Sequence, residues 1–332
     1  VYASPYAPGC EVDGELVAIS SIEELEKTDI SGRVVLLHGD IAKEQLMPKN
    51  FVFYNPEEHQ KIITLLEQGK PVAILSATGR NAALAGGVYP FPLIEDGDFD
   101  IPSVYMTAEE GEKLLSYAGQ AVQVKSLSRR IPAKGYNVVG RKGNNPTEKI
   151  VITAHIDSKK GTPGAIDNGT GVVILLLLAK LLSAYNGMRM VEIVAFNGED
   201  YYAVPGQMLY IEQNQNRFDD ILLNINIDGA GYIQGNTAFA FFELPEHVQK
   251  IAEEVPRKFD GIVKGAQWVQ GDHSIFVQAG RPAIAVASEW IIENIDSQDV
   301  THTPKDNINI VDYEKLAEIS RAIQYLIEKI SG

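Results

Sequence analysis

Histidine and acid recur in this chain at spacings that suit a metal centre. His155-Ile156-Asp157 is followed by Gly164-Ala165-Ile166-Asp167-Asn168-Gly169, and far downstream stands His302-Thr303-Pro304-Lys305-Asp306-Asn307. Between them lie Asn197-Gly198-Glu199-Asp200 and Asn226-Ile227-Asp228-Gly229. His155 and Asp157, two apart at the end of an apolar run, can point to the same side of a strand. An imidazole can then ligate a cation while a carboxylate holds or shields it from behind. Asp167 sits among small residues that let a ligand approach the backbone, and its two oxygens can bridge two cations. Asp228 can complete a first metal with His155, and Asp200 and His302 can complete a second. Three protein ligands per zinc with one position open is the catalytic pattern, and two metals about 3.5–4 Å apart can share one activated water. Glu199, next to a ligand in sequence but not needed as one, is placed to act as the general base. Taken singly, each piece is ordinary: a His-x-Asp on a strand, an Asp-Gly turn, a solvated acidic pair. Together and in order, each beyond an apolar run, they point to one site.

The elements that must position these residues are legible as alternating strands and helices. A strand over 149–154 delivers His155, and residues 171–185 read as a helix, apolar almost all round and therefore buried. Strands over 190–196 and 221–227 each run into an acid, a further strand covers 282–287, and residues 312–330 form an amphipathic helix with Leu316, Ile319, Ile323 and Leu326 on one side. This is an α/β pattern with a largely parallel sheet covered on both faces, in which ligands bind beyond the carboxyl ends of the strands. The first half alternates too. Strands are expected over 33–38, 71–75 and 103–105, a helix over 57–68 with Ile62, Ile63, Leu65 and Leu66 on its apolar face, and a helix opened by Thr107 with acids in its first turn. No ligand cluster falls in that half. The polar, basic stretch Ser126-Leu127-Ser128-Arg129-Arg130-Ile131-Pro132-Ala133-Lys134-Gly135 separates the halves, giving domains over 1–128 and 129–332.

At 332 residues the chain has room for two domains, and its net charge of −15 argues against nucleic-acid phosphate or an anionic membrane as partner. One cysteine, Cys10, excludes an internal disulfide framework and any cysteine-rich zinc cluster. The apolar run over 171–182 is expected to be too short to span a bilayer and is interrupted by Lys180. No signal peptide is visible, and the start at Val1 is consistent with removal of a leader or a tag.

The series His155-x-Asp157, Pro163-Gly164-Ala165-x-Asp167-Asn168, Glu199-Asp200, Asp228 and His302-Thr303-Pro304-x-Asp306 resembles the zinc-dependent aminopeptidase family with two co-catalytic zincs. Gly271-Asp272-His273-Ser274-x-Phe276 and Arg281-Pro282-Ala283-Ile284 are similar to that family's segment before the last ligand. The resemblance covers residues 136–330. It implies a three-layer α/β/α zinc-peptidase domain with a mostly parallel mixed central sheet, acting on peptides with a free N-terminus. Carried over, it gives two Zn(2+) per chain, other divalent metals being possible: His155 and Asp228 on one, Asp200 and His302 on the other, Asp167 between them. Asp157 would orient His155 and Glu199 would be the base. Residues 10–128 look like the smaller α+β protease-associated domain that accompanies such enzymes and shapes the cleft. The signs are Gly32-Arg33-Val34-Val35-Leu36, Gly69-Lys70-Pro71-Val72-Ala73-Ile74 and Asp100-Ile101-Pro102-Ser103-Val104. The resemblance also implies a location outside the cell or in its envelope, and leaves oligomeric state open.

This chain departs from the family pattern in three places. Asp200 stands where the family has Glu, one methylene longer. Thr301 stands where several relatives place a Tyr that stabilises the oxyanion, so another donor must serve: Tyr201, Tyr202, Tyr232 or His273. Ala203-Val204-Pro205-Gly206-Gln207 replaces a Gly-rich stretch and alters the pocket wall. A substrate amine could be held by Glu289 or Asp272, a carboxylate by Arg281, Lys159 or Lys160. Two rival readings remain: a single-zinc glutaminyl cyclase, which shares a stretch like His155-x-Asp157-Ser158-Lys159, and an inactive receptor-like binding protein.

Overall fold

The computed structural model describes residues 1–51, 55–80, 89–201, 204–268, 271–295 and 297–331. The chain divides into two compact units, Val1–Lys134 and Gly135–Gly332. The division falls a few residues beyond the expected 128/129 boundary. Ser128 Oγ donates to the Ala7 carbonyl, and the Arg130 guanidinium bonds the Asp100 carboxylate and the carbonyls of Tyr6 and Phe99, so these residues stay with the first unit.

In the first unit β1 (Tyr2–Ala3), β2 (Cys10–Ile19), β3 (Val34–Leu37), β4 (Ala73–Thr78), β5 (Ser103–Thr107) and β6 (Ala121–Ser126) form one sheet in the order β1-β5-β4-β3-β2-β6. β2 to β5 are mutually parallel, and the edge strands β1 and β6 are antiparallel. All four residues of β3 are buried. Successive side chains point to opposite faces: Val35 and Leu37 join Ile62, Leu66 and Phe91 on one side, Val34 and Leu36 join Leu75 and Val104 on the other. The helix Glu57–Gly69 ends where Lys70 turns to φ 51°. Thr107 Oγ1 caps the helix Ala108–Leu115 by accepting the Glu110 amide.

In the second unit β7 (Val138–Lys142), β8 (Lys149–His155), β9 (Met190–Phe196), β10 (Ile221–Ile227), β11 (Thr237–Phe242), β12 (Ile262–Lys264) and β13 (Ala283–Ser288) order as β12-β11-β13-β10-β8-β9-β7. The middle strands β13, β10, β8 and β9 are parallel, while β7 on β9 and β11 on β13 are antiparallel. Ile150, Ile152, Leu223 and Ile225 meet Ile174, Leu178, Leu316, Ile319, Ile323 and Leu326 in one core. The helix expected over 171–185 runs Thr170–Leu181 and passes into a tighter turn at Leu182–Ala184. It is not buried all round: Ile174, Leu175 and Leu178 face the core, whereas Val173 and Leu176 are exposed, Leu176 by 66%. With the turn before it, the helical stretch Ala165–Ala184 is long and apolar enough to cross a bilayer by length and composition alone, longer than the expected run, but half of it is buried inside the protein.

Candidate metal centre

Parallel register brings the chemistry together. His155 is the last residue of β8 and pairs with Phe196, the last of β9, so the segment 197–200 leaves the sheet beside it. β10 flanks β8 on the other side and hands over to Asp228 after Ile227. Asp167 comes from the turn Ala165–Gly169 between β8 and the helix Thr170–Leu181. That turn needs Gly164: its φ is +63°, and a Cβ there would lie 2.6 Å from the Ser158 Cβ. Asn168 ties the turn to the sheet, its Nδ2 donating to the Ile227 carbonyl at 2.8 Å and its Oδ1 accepting the Gly171 amide. His302 arrives on a loop in the left-handed region, φ 61°, which non-glycine residues rarely adopt. Gln298 Oε1 holds that loop by accepting the amides of Val300 and Thr301, both at 2.9 Å.

The five expected ligands converge. His155 Nε2 lies 3.0 Å from Asp167 Oδ1 and 3.6 Å from Asp228 Oδ1. His302 Nε2 lies 3.0 Å from Asp167 Oδ2 and 2.7 Å from Asp200 Oδ1. Asp167 therefore turns one oxygen to each histidine. Bonds of about 2.0–2.1 Å to a tetrahedral zinc put its donor atoms roughly 3.3 Å apart, and the four separations bracket that value. Ligand atoms of His155, Asp167 and Asp200 all fall within 4.8 Å of one another. His155 Nε2 and Asp200 Oδ2 are buried with no hydrogen bond, which a fold of water-soluble groups avoids unless something else satisfies them. The donor set and these orphaned atoms fit a bound zinc. Glu199 Oε2 stands beside the set, 3.8 Å from His155 Nε2.

The surrounding groups show how Asp157 meets His155. The partner of His155 Nδ1 is the backbone carbonyl of Asp157 at 3.1 Å, while the Asp157 carboxylate is 3.9 Å away. A carbonyl can only accept, so in the neutral ring Nδ1 carries the proton and Nε2 offers its lone pair to the centre. The Asp157 carboxylate instead accepts the amides of Gly198 at 2.6 Å, Glu199 at 3.2 Å and Asp200 at 3.2 Å. It organises the loop that carries Glu199 and Asp200, a role that residue spacing could not show.

The electrostatics are those of crowded carboxylates. Burial alone would depress His155, but Glu199, Asp167 and Asp228 overcome it and hold the imidazole well above its ordinary value. Burial also opposes protonation of His302, and Asp167 and Asp200 push it up to about 10. Asp167 resists burial and stays far below the usual carboxylate range because an imidazole stands 3.0 Å from each of its oxygens. Burial lifts Glu199 well above that range; His155 opposes, and Asp228, Asp272 and Asp200 add to the rise.

The other candidates divide. Asp272 is buried, pushed up to about 7 by burial, and its Oδ1 accepts from Gln207 Nε2. Glu289 is occupied by the backbone and side-chain amides of Asn236. His273 is buried between Phe242 and Trp268, with Nε2 on the Trp268 carbonyl, and burial lowers its pKa. Tyr232 is a core aromatic stacked 5.0 Å from Trp290. Tyr201 lies beneath Lys159, whose Nζ donates to the Asp200 carbonyl. Tyr202 and Ala203 lie outside the described residues. Arg281 bonds the Asp219 and Gly280 carbonyls. In the altered wall Gly206 has a packing role: it donates to the Asn197 carbonyl, and a Cβ on it would come within 2.4 Å of that oxygen. Sequence reasoning missed the contact of Gln207 with Asp272, the polar strand interior Thr153–Asn226–Asn224 and the contacts of Asp306. Two asparagines in the otherwise apolar Ile221–Ile227 were the available signal for the second of these.

With this geometry in place, comparison with known proteins assigns a family. Residues 137–327 match the model of peptidase family M28, and the chain belongs to it. It is 21% identical over 243 residues to the aminopeptidase YwaD of Bacillus subtilis (strain 168), covering 68% of this chain and 51% of that one. The match thus spans about half the length of that curated relative. Among solved structures it shares its fold with an aminopeptidase from Aneurinibacillus sp. strain AM-1, at TM-score 0.69 and 19% identity over 98% of this chain and 76% of that one. It also shares it with BSAP, a zinc aminopeptidase from Bacillus subtilis, at TM-score 0.67 and 19% identity over 99% and 78%.

Proposed function

We propose that this protein is a zinc-dependent aminopeptidase that hydrolyses the first peptide bond of substrates with a free N-terminus. The observation that carries the reading is the split of the Asp167 carboxylate between two histidines, each 3.0 Å away. It supports two zinc ions per chain, one on His155, Asp167 and Asp228 and the other on Asp167, Asp200 and His302. Zinc, when bound, supplies a Lewis acid that activates water and polarises the scissile carbonyl. Glu199 takes the proton of the attacking water. The new carbon–oxygen bond forms, the carbon–nitrogen bond breaks, and Glu199 returns the proton to the leaving amine. Asp157 keeps Glu199 aimed by holding its backbone amide and those on either side.

A free N-terminal ammonium suits a cleft rich in carboxylates. Lys159 is spent on the Asp200 carbonyl and Arg281 on backbone oxygens and Asp219, which supports an amino- over a carboxypeptidase. Asp228, only 3.6 Å from His155, supplies a full second ligand set and so supports the peptidase over a single-zinc cyclase or a receptor. We read the unit Val1–Lys134 as a protease-associated accessory domain. Stripped of metal and restored with zinc, the protein is expected to hold two zinc ions per chain and to be active. Glu199→Gln is expected to keep both ions and to lose about 10²–10⁴-fold in kcat. A variant as active as the parent would remove Glu199 from the mechanism.

A further inference from the structure

We propose that Asp306 is a positioning residue for this centre: its carboxylate fixes the backbone of the loop carrying Asp167 and locks it to the loop carrying His302. The inference rests on the two-metal reading above and adds to it a residue outside the ligand set. Asp306 is fully buried. One carboxylate oxygen accepts the Ile166 amide at 2.6 Å and the other the Asp167 amide at 3.1 Å. Its backbone carbonyl accepts the Ala165 amide at 3.4 Å, and its own amide donates to Thr303. Thr162 adds a second tie, its hydroxyl donating to the Thr303 carbonyl at 3.0 Å and accepting the Gly164 amide at 3.2 Å.

Two convergent amide donors need two acceptors, and only a carboxylate offers both from one short side chain. Asparagine would keep one and turn an NH2 group against the other. A bland alternative exists, because side-chain oxygens often satisfy the free amides where a helix begins, with a gain in stability alone. What separates the two is the identity of the amide held. It belongs to Asp167, whose oxygens must meet both histidines at once, so a small rotation of that backbone would spoil both metal sites. The same device occurs on the other side of the centre. His155 is followed by Asp157, which holds the amides of Glu199 and Asp200, the latter a ligand in the set with His302. His302 is followed by Asp306, which holds the amide of Asp167, the shared ligand. Each histidine segment thus carries a carboxylate that sets the backbone of a ligand outside it.

The test compares wild type with Asp306→Asn, measuring zinc retention against a chelator, kcat and KM, and the unfolding temperature of the metal-free proteins. Zinc affinity and kcat are each expected to fall by about 10–100-fold, with KM changed less than about two-fold. Metal-free unfolding should stay within a few degrees. Lower metal-free stability with unchanged zinc affinity and kcat would reduce Asp306 to a helix cap and overturn the proposal. If Asp306→Asn does not fold, Thr162→Val serves: it cuts the parallel tie without touching a carboxylate, and weaker zinc retention supports the proposal while unchanged retention overturns it. Wild type is the control for the underlying reading. If it holds no zinc, the two-metal assignment falls; if it holds two and cleaves while the variants match it, only the role of Asp306 falls.

Discussion

At His302, two carboxylates lie within 3.0 Å of one ring nitrogen, and without a cation their charge is met by a proton. Zinc needs that nitrogen neutral, so binding must release the proton. With the imidazole pushed up to about 10, release is expected across neutral pH, and zinc affinity should rise as pH rises. Titration calorimetry at pH 7.5 in two buffers of different ionisation enthalpy reads this directly; no release would contradict the assignment. The same shift governs stability of the metal-free protein. The folded value lies above the unfolded one of about 6.5, so this contribution is complete below that pH and is lost as pH climbs through the folded value. The metal-free melting temperature should therefore fall between pH 7 and pH 10. At this scale the sequence was informative about side chains and poor about backbone. His155, Asp167, Asp200, Asp228 and His302 lie close together in the folded chain. The work of Asp157 and Asp306 lies in amides brought near by folding, and residue type carries no trace of it.

The elements that hold the centre are those with the plainest patterns. β8, β9 and β10 are predominantly apolar, as parallel strands covered on both faces tend to be, and their bounds fall within a residue of expectation. β7 was not foreseen because every residue in Val138–Lys142 is exposed; an edge strand is recruited by the amides and carbonyls of its neighbour, not by its own hydrophobicity. β2 was missed although Cys10, Val12 and Leu16 alternate with acids, a period-two signal diluted by Gly14. The helix Thr170–Leu181 misled in the other direction, since uniform apolarity suggested burial all round. Its two faces should behave differently. Leu178→Ala, in the core against the sheet, is expected to cost about 2–5 kcal/mol, whereas Leu176→Ala on the exposed side should stay within about 0.5 kcal/mol. Urea unfolding of the two variants checks this, and equal costs would contradict the packing described.

For the whole molecule, the carboxyl ends of parallel strands collect donors from β8, β9 and β10 and from two loops, and membership of peptidase family M28 agrees with that arrangement. The central claim is that this site removes residues from a free N-terminus with zinc. The most direct measurement follows hydrolysis of a peptide and of its N-acetylated twin by the zinc-restored protein, beside the same protein stripped of metal. Zinc-dependent cleavage of the free peptide and none of the acetylated one is the result expected. Equal cleavage of both, or cleavage without metal, would contradict it.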